Sequence, residues 1–488
     1  MVSLKKNLLY QTAYKLLLSA APLITTPYLS RVLGASNLGI FSYRQSIINF
    51  FLLFAMLGVS TYGTQRMAAE RDNKELMDKT FWEIYSIQFI ASFVMTILYA
   101  LYILWFCKEY ILISWIFGFY LIGDLLDVSW YFYGVEEINI TSIRGMVIKL
   151  LSVASVFLFV KSGDDLWKYA VIVAGATALG QIIIWPAFLS RVQLIKPTLS
   201  GIKKHIKPIL ILFVPLAAVS VYHIMDKVML GMLSDTLNSG YYYSADKVIN
   251  VPIVIITGIH AVFLPRVTNM FSRGKTEGEM VPFLSETMIV TLALCSSMAC
   301  GIAAVSDEFV PLFFGAGYEP CSSLIKVFAL VMIAKSLSSA MRNMYIIPTQ
   351  RDSIYVWSVI LGAVVNLIAN YVLIYVLCLG AMGATLGTLL AEASAALFDV
   401  VMCNRVLPEL KPAKTIMKGI NFLASGVVMY VLIRILRNVL CVNLSTIVAL
   451  IIEIISGVII YLLFVIIYSK YKKVNVMEMV FSSRKNNN

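Results

Sequence analysis

Apolar residues in this chain come in long runs separated by short polar connections, with no sustained alternation of period two. Windows of 18–27 residues near 9–30, 39–64, 81–106, 111–133, 143–160, 167–189, 209–230, 240–264, 282–305, 321–347, 353–377, 380–403, 419–436 and 445–468 stand out. A span of a bilayer needs about 20 such residues. Lipid offers the backbone no hydrogen bonds, so only helices and closed barrels can cross it. Runs of this length without alternation predict helices. The expected fold class is an all-α polytopic membrane protein with about 14 transmembrane helices.

Composition agrees with that pattern. Of 488 residues, 60% are hydrophobic and 14% charged, whereas a soluble domain is about 45–50% apolar and about 25% charged. Lys15 and Pro22 interrupt the first run, and no small-residue cleavage site follows it, so it reads as a retained span and not a signal peptide. The seven cysteines are scattered, without CxxC or metal-ligand spacing, which predicts packing roles. No cofactor and no metal is called for.

The net charge of +12 would suit nucleic acid if it were clustered. It is instead sorted by side. With the N-terminus in the cytoplasm, 25 Lys and Arg residues fall in the termini and even-to-odd connections, against five near the outer ends (Arg31, Lys108, Lys161, Lys168 and Arg437). This positive-inside asymmetry places both termini in the cytoplasm and implies no nucleic-acid partner.

The chain also resembles itself. "GIFSYRQSIIN" (39–49) aligns with "GYYYSADKVIN" (240–250) at an offset of 201, and "RVLG" (31–34) with "KVMLG" (227–231). "GATALG" (175–180) echoes "GATLG" (383–387). The order of these matches predicts two six-helix lobes, 1–190 and 209–403, joined by a basic cytoplasmic linker, 191–208. A second linker (404–418), two additional helices (419–468) and a basic cytoplasmic tail (469–488) complete the chain. An even number of spans per lobe relates the lobes by a pseudo-twofold along the membrane normal, the parallel-repeat transporter plan, with a site between the repeats.

Several of these segments carry a family resemblance: "NLLYQTAYKLLLSAAPLITTPYLSRVLGASNLGIFSY", "WYFYGVEEINI" (130–140), "GAVVNLIANYVLI" (362–374) and "LGAMGATLGTLLAE" (379–392). The chain resembles the polysaccharide transporters, the Wzx-type flippases of lipid-linked O-antigen or capsule repeat units. They belong to the multidrug/oligosaccharidyl-lipid/polysaccharide exporter superfamily. The resemblance implies a two-lobed alternating-access fold in the bacterial plasma membrane and a polyprenyl-pyrophosphate-linked oligosaccharide as cargo. Membrane lipid, a proton or sodium, and polysaccharide polymerase and chain-length proteins are candidate partners, with consumption of product outside as the alternative to an ion gradient.

Ionisable residues inside spans are costly and usually face protein or a wet cavity. Arg31 and Lys227 fall near the outer ends of corresponding helices, and Arg44 and Lys247 lie one to two turns deeper in the next ones. Their matched placement predicts a cationic path for a phosphate; snorkelling to outer headgroups is the plainer alternative. Asp226 and Asp246 adjoin the two lysines and could form ion pairs or gates. Asp124, Asp127 and Tyr131 share i, i+3, i+7 spacing, which predicts one polar helix face opposite Lys335 and Arg342. That arrangement is read either as a static bridge or as a pair remade during transport, and Lys335 and Arg342 also count as candidate substrate-binding residues with Arg31, Arg44, Lys227 and Lys247. Asp127 and Glu392 are the candidate coupling carboxylates. His223 and His260 read as structural, and Asn366 with Asn370 as interhelical hydrogen-bonding groups.

Bond-breaking chemistry finds no support. There is no GxxxxGK[ST], HExxH or GxSxG motif, and the longest expected outer connection is the 15-residue "SDEFVPLFFGAGYEP". A polymerase or ligase would need a larger outer domain. Lipid II flippases and cation-coupled multidrug antiporters share the expected plan and remain as rival transport readings.

Overall fold

The computed structural model describes residues 4–440 and 444–472. The basic tail from 473 onward, and the side chains of His223, Lys5 and Lys6, lie outside the described residues. Every regular element among the described residues is helical, and the helices fall into two compact units, Met1–Gly240 and Tyr241–Asn488.

The first unit begins with α1 (Leu4–Met56), broken at Gly34, whose φ of +78° lies where glycine is favoured. There follow α2 (Val59–Glu70), α3 (Lys74–Phe106), α4 (Ile111–Leu125), α5 (Ser129–Gly134), α6 (Ile138–Phe159), α7 (Leu166–Leu189) and α8 (Leu199–Leu233). Side chains at the starts satisfy helix N–H groups that lack a partner within the helix. Asn73 accepts from Leu76 N at 3.1 Å on α3, and Thr198 accepts from Gly201 N at 3.2 Å on α8. α1 packs against α3, α4, α6 and α8.

The unit boundary falls inside α9 (Thr236–Ser272). The second unit continues with α10 (Glu277–Phe314), α11 (Pro320–Met341), α12 (Asp352–Asn370), α13 (Gly380–Val406), α14 (Pro412–Leu440) and α15 (Thr446–Lys472). Wide π turns follow α11 and α12, at Arg342–Ile346 and Tyr371–Val376. The last two helices lie along α10: Tyr461 donates to the Ala293 carbonyl and Ser296 to the Phe422 carbonyl, both at 2.7 Å.

Eleven helices among the described residues are long and apolar enough to cross a membrane, against the 14 windows expected. The difference has identifiable sources. Leu9–Glu70 runs through two windows as one helical stretch, the fourth window holds the shorter Ile111–Leu125, and the seventh lies on α8. The expected long outer connection is also corrected. α10 continues through Asp307 and Glu308 to Phe314, leaving Gly315–Glu319 as the turn before α11. At 1.5 Å per residue its 38 residues reach about 57 Å, well beyond a hydrocarbon core of about 30 Å. Its far end is held by ion pairs: Lys326 to Asp307 at 2.7 Å, Arg434 to Asp307 at 3.0 Å and Arg437 to Glu308 at 3.0 Å.

A third correction concerns Asp124, Asp127 and Tyr131. α4 ends at Leu125 and α5 starts at Ser129, so these three do not share one helix face. Tyr131 is buried in an aromatic core with Phe81, Trp130, Phe132 and Phe188, where the Phe81 and Trp130 rings stack at 4.7 Å. Asp127 instead accepts from the Ser129 N–H at 2.8 Å.

Gln88 holds this break in place. Its amide donates to the Asp124 and Asp127 carbonyls at 2.6 and 2.9 Å, and its oxygen accepts from the Trp130 indole at 2.9 Å. The side chain is fully buried. Gln88→Leu keeps the volume but leaves the Asp127 carbonyl and the Trp130 indole N–H without these bonds, at about 1–3 kcal/mol each. It is expected to lower the melting temperature in detergent by several degrees, whereas Thr96→Val on the same helix changes it little.

Candidate functional site

The repeat seen in the sequence reappears as a contact. Within the first unit, a Cβ on Gly39 would overlap the Thr236 carbonyl oxygen, and a Cβ on Gly240 would overlap the Ala35 carbonyl oxygen. Ala35 and Gly39 correspond to Thr236 and Gly240 at the offset of 201. The contact is therefore reciprocal, as two copies related by a twofold would make it. Each side is a small-xxx-small motif, which lets helix backbones approach closely. Ser36 and Thr236 add a hydroxyl pair at 2.7 Å, and Gly231 on α8 leaves room for the Tyr43 ring. These residues form a glycine seam between α1 and the α8–α9 corner.

The first-unit cations flank this seam in different ways. Arg31 is exposed, with Nη1 donating to the Pro27 carbonyl at 2.9 Å. Arg44 is buried, at 7% exposure, so it does face protein and not lipid. Its Nη2 donates to the Glu109 carbonyl at 2.7 Å, and its guanidinium lies 5.1 Å from the Tyr43 ring centre. The arginine thus ties α1 to the α3–α4 connection. Asp226 is buried and Lys227 half-buried on α8. Arg144 sits in α6 and donates to the Gly180 carbonyl, Gln181 and Ser129 at 2.9–3.3 Å.

In the second unit the predicted cations meet predicted and unpredicted carboxylates. Lys335 on α11 lies 3.9 Å from Glu392 on α13. Seven residues further along both helices, Arg342 Nε donates to Asp399 at 3.2 Å. The same Asp399 oxygen accepts from Ser338 at 2.5 Å, and Arg342 Nη2 donates to Ser358 at 3.0 Å. These two rungs form an ion-pair ladder between α11 and α13, with Asp399 fully buried. Arg342 opens the π turn, a type of helix irregularity common at functional sites. The ladder gives Lys335 and Arg342 acidic partners within their own unit. Its sequence signal was available: the seven-residue spacing of Lys335 and Arg342 is repeated by Glu392 and Asp399.

The remaining candidates are on α9 and in the helix core. Lys247 lies 5.0 Å from the Tyr243 ring centre, and Asp246 accepts from Asn250 at 2.7 Å. His260 sits between Ser339 and Thr291 at 2.9 and 3.0 Å, the structural role expected of it. Asn370 donates to Asn366 at 3.1 Å within α12, and its oxygen fills the space beside Gly387 of α13. Among the described residues no group of His, Cys, Asp and Glu could hold a metal.

A helical membrane protein with an internal repeat, a tight small-residue seam and a buried ion ladder matches a known sequence family. Residues 4–271 match the family described as "Polysaccharide biosynthesis protein", which is more than half of the chain. The chain belongs to that family. It is 24% identical over 347 residues to a protein of Escherichia coli (strain K12) named "Putative O-antigen transporter", covering 69% of this chain and 82% of that one. A protein of the same name from Shigella dysenteriae is 24% identical over 388 residues, 77% and 94% of the two chains.

The fold is shared more widely. "Lipid II flippase MurJ, inward closed conformation" superposes with a TM-score of 0.68 at 14% identity, over 95% of this chain and 99% of that one. An inward-facing multidrug resistance transporter of the MATE family, in the MOP superfamily, gives 0.60 at 16% identity, over 82% and 95%. The chain is thus a multi-pass membrane protein of the polysaccharide biosynthesis family, with a fold shared with these transporters. Its relatives are transporters, which is the activity class the absence of bond-breaking motifs anticipates.

Proposed function

We propose that this protein is a flippase that moves undecaprenyl-pyrophosphate-linked oligosaccharide repeat units from the inner to the outer leaflet of a bacterial plasma membrane. The family match over residues 4–271, seconded by the two O-antigen transporter relatives, carries this reading. Two six-helix lobes, 1–190 and 209–403, alternate access to a path between them, while the polyprenyl tail stays in lipid. Arg31, Lys227 and Lys247 contact the pyrophosphate. Arg44 shapes the wall of the path from α1. Lys335–Glu392 and Arg342–Asp399 set the packing of α11 against α13 as the second lobe moves, with Glu392 or Asp127 carrying any coupling proton. The likeness to a lipid II flippase favours peptidoglycan precursor as the second reading of the cargo.

Complementation separates the two. In a bacterium whose own repeat-unit flippase is deleted, expression of this chain is expected to restore surface polysaccharide of matching repeat structure. Rescue of a strain depleted of its lipid II flippase, without restored polysaccharide, would transfer the assignment to the second reading. The topology has its own check. Cysteines at 235–238 should react with an impermeant reagent from outside, and those at 196–204 only from inside. Outside labelling at 196–204 would remove the two-lobe arrangement, because that linker must return to the cytoplasm.

A further inference from the structure

Within the first unit, the linker-proximal end of α8 meets α2 and α3 around one carboxylate. Glu83 of α3 is fully buried. It meets Lys204 Nζ at 3.0 Å, His205 Nε2 at 3.3 Å and Thr198 Oγ1 at 3.3 Å, all from α8 or its cap. His205 is itself 1% exposed, and its Nδ1 lies 2.8 Å from the Tyr62 hydroxyl of α2. With Nε2–H donating to Glu83, Nδ1 accepts from Tyr62, so every polar atom of the imidazole is used. Gly201 completes the fit, since a Cβ there would overlap the Glu83 carboxylate. Below this cluster Ile209 is buried, and Phe213 packs on Phe54 with ring centres 5.5 Å apart.

The sequence repeat assigns α8 to the start of the second six helices, yet here it is closed against α1 at one end and against α2 and α3 at the other. A buried carboxylate that binds α8 through three donors gives that closure a defined site of release. We propose that Glu83 is a latch residue, which clamps the linker-proximal end of α8 onto α2 and α3 and releases Lys204 and His205 whenever that end opens. The proposal rests on the transport reading, because only an alternating-access cycle requires this end to open. Glu83 is a positioning residue: it acts on α8, not on cargo.

The test is cysteine accessibility in membranes, in full-length protein lacking its native cysteines. Ile209→Cys reports on the seam beneath the latch, and Phe117→Cys reports on the fully buried first-unit core. Glu83→Gln, which preserves shape, is expected to raise the N-ethylmaleimide labelling rate at position 209 about tenfold and leave position 117 unreactive. Lys204→Gln should give a smaller rise, since His205 and Thr198 remain. Unchanged labelling at 209 would overturn the latch. Equal rises at 209 and 117 would also overturn it, because Glu83 would then be holding the whole unit together. Labelling needs no cargo, so failure of the latch and failure of the flippase assignment are read separately.

Discussion

Replacing Gly240 with valine is expected to stop transport while the protein still inserts into the membrane. The added side chain meets backbone, the Ala35 carbonyl, and not the flexible end of another side chain, so the helices must move apart. Overpacking of this kind costs about 1–3 kcal/mol and occasionally more. If about 3 kcal/mol falls on the closed seam alone, its population drops roughly a hundredfold, since about 1.4 kcal/mol is a factor of ten. Gly39→Val should behave in the same way, because it meets the Thr236 carbonyl, and the alanine variants should be milder in both cases. Transport by either valine variant at the wild-type rate, with normal expression, would show that the seam need not close during the cycle.

Asp399→Ala is expected to be the most destabilising single change in the second unit. It leaves Arg342 without its carboxylate and Ser338 without its acceptor, in a fully buried position. Breaking a buried pair from one side costs about 3–5 kcal/mol, a large part of a total stability of about 5–15 kcal/mol. Asp399→Asn should fall between, because it still accepts from Ser338. Replacing both partners, Arg342→Met with Asp399→Leu, should recover much of the thermal stability in detergent, as apolar substitutes for buried pairs often do. Transport by that double variant distinguishes the roles of the pair. A stable but inactive protein marks a pair that acts in the cycle, and a stable and active one marks a pair that only packs α11 on α13.

Much of this molecule was legible in the sequence because lipid imposes simple rules. Long apolar runs must become helices, and the offset of 201 between "GIFSYRQSIIN" and "GYYYSADKVIN" became the reciprocal contact of Gly39 and Gly240. Arg44 is buried against protein, and its partner is a carbonyl on the α3–α4 connection; backbone acceptors leave no mark in a sequence. The continuous face of Asp124, Asp127 and Tyr131 failed because periodicity assumes an unbroken helix, whereas Gln88 and Trp130 stabilise a break there. Asp399 and Glu83 went unnoticed for another reason. Asp399 shows only when residues are read in pairs, since it repeats from Glu392 the spacing of Arg342 from Lys335, and Glu83 finds its partners more than a hundred residues away on α8.

In the proposed function, lipid-linked polysaccharide repeat units cross the membrane through this protein. This crossing is tested most directly in proteoliposomes holding the purified chain and a polyprenyl-pyrophosphate-linked oligosaccharide on one leaflet, with an impermeant glycosidase outside to report which sugars remain exposed. The flippase account predicts that wild-type protein moves the sugars out of the enzyme's reach, that Gly240→Val does not, and that lipid II in the same assay stays where it was placed. Wild-type protein that moves lipid II and leaves the repeat unit accessible would contradict it.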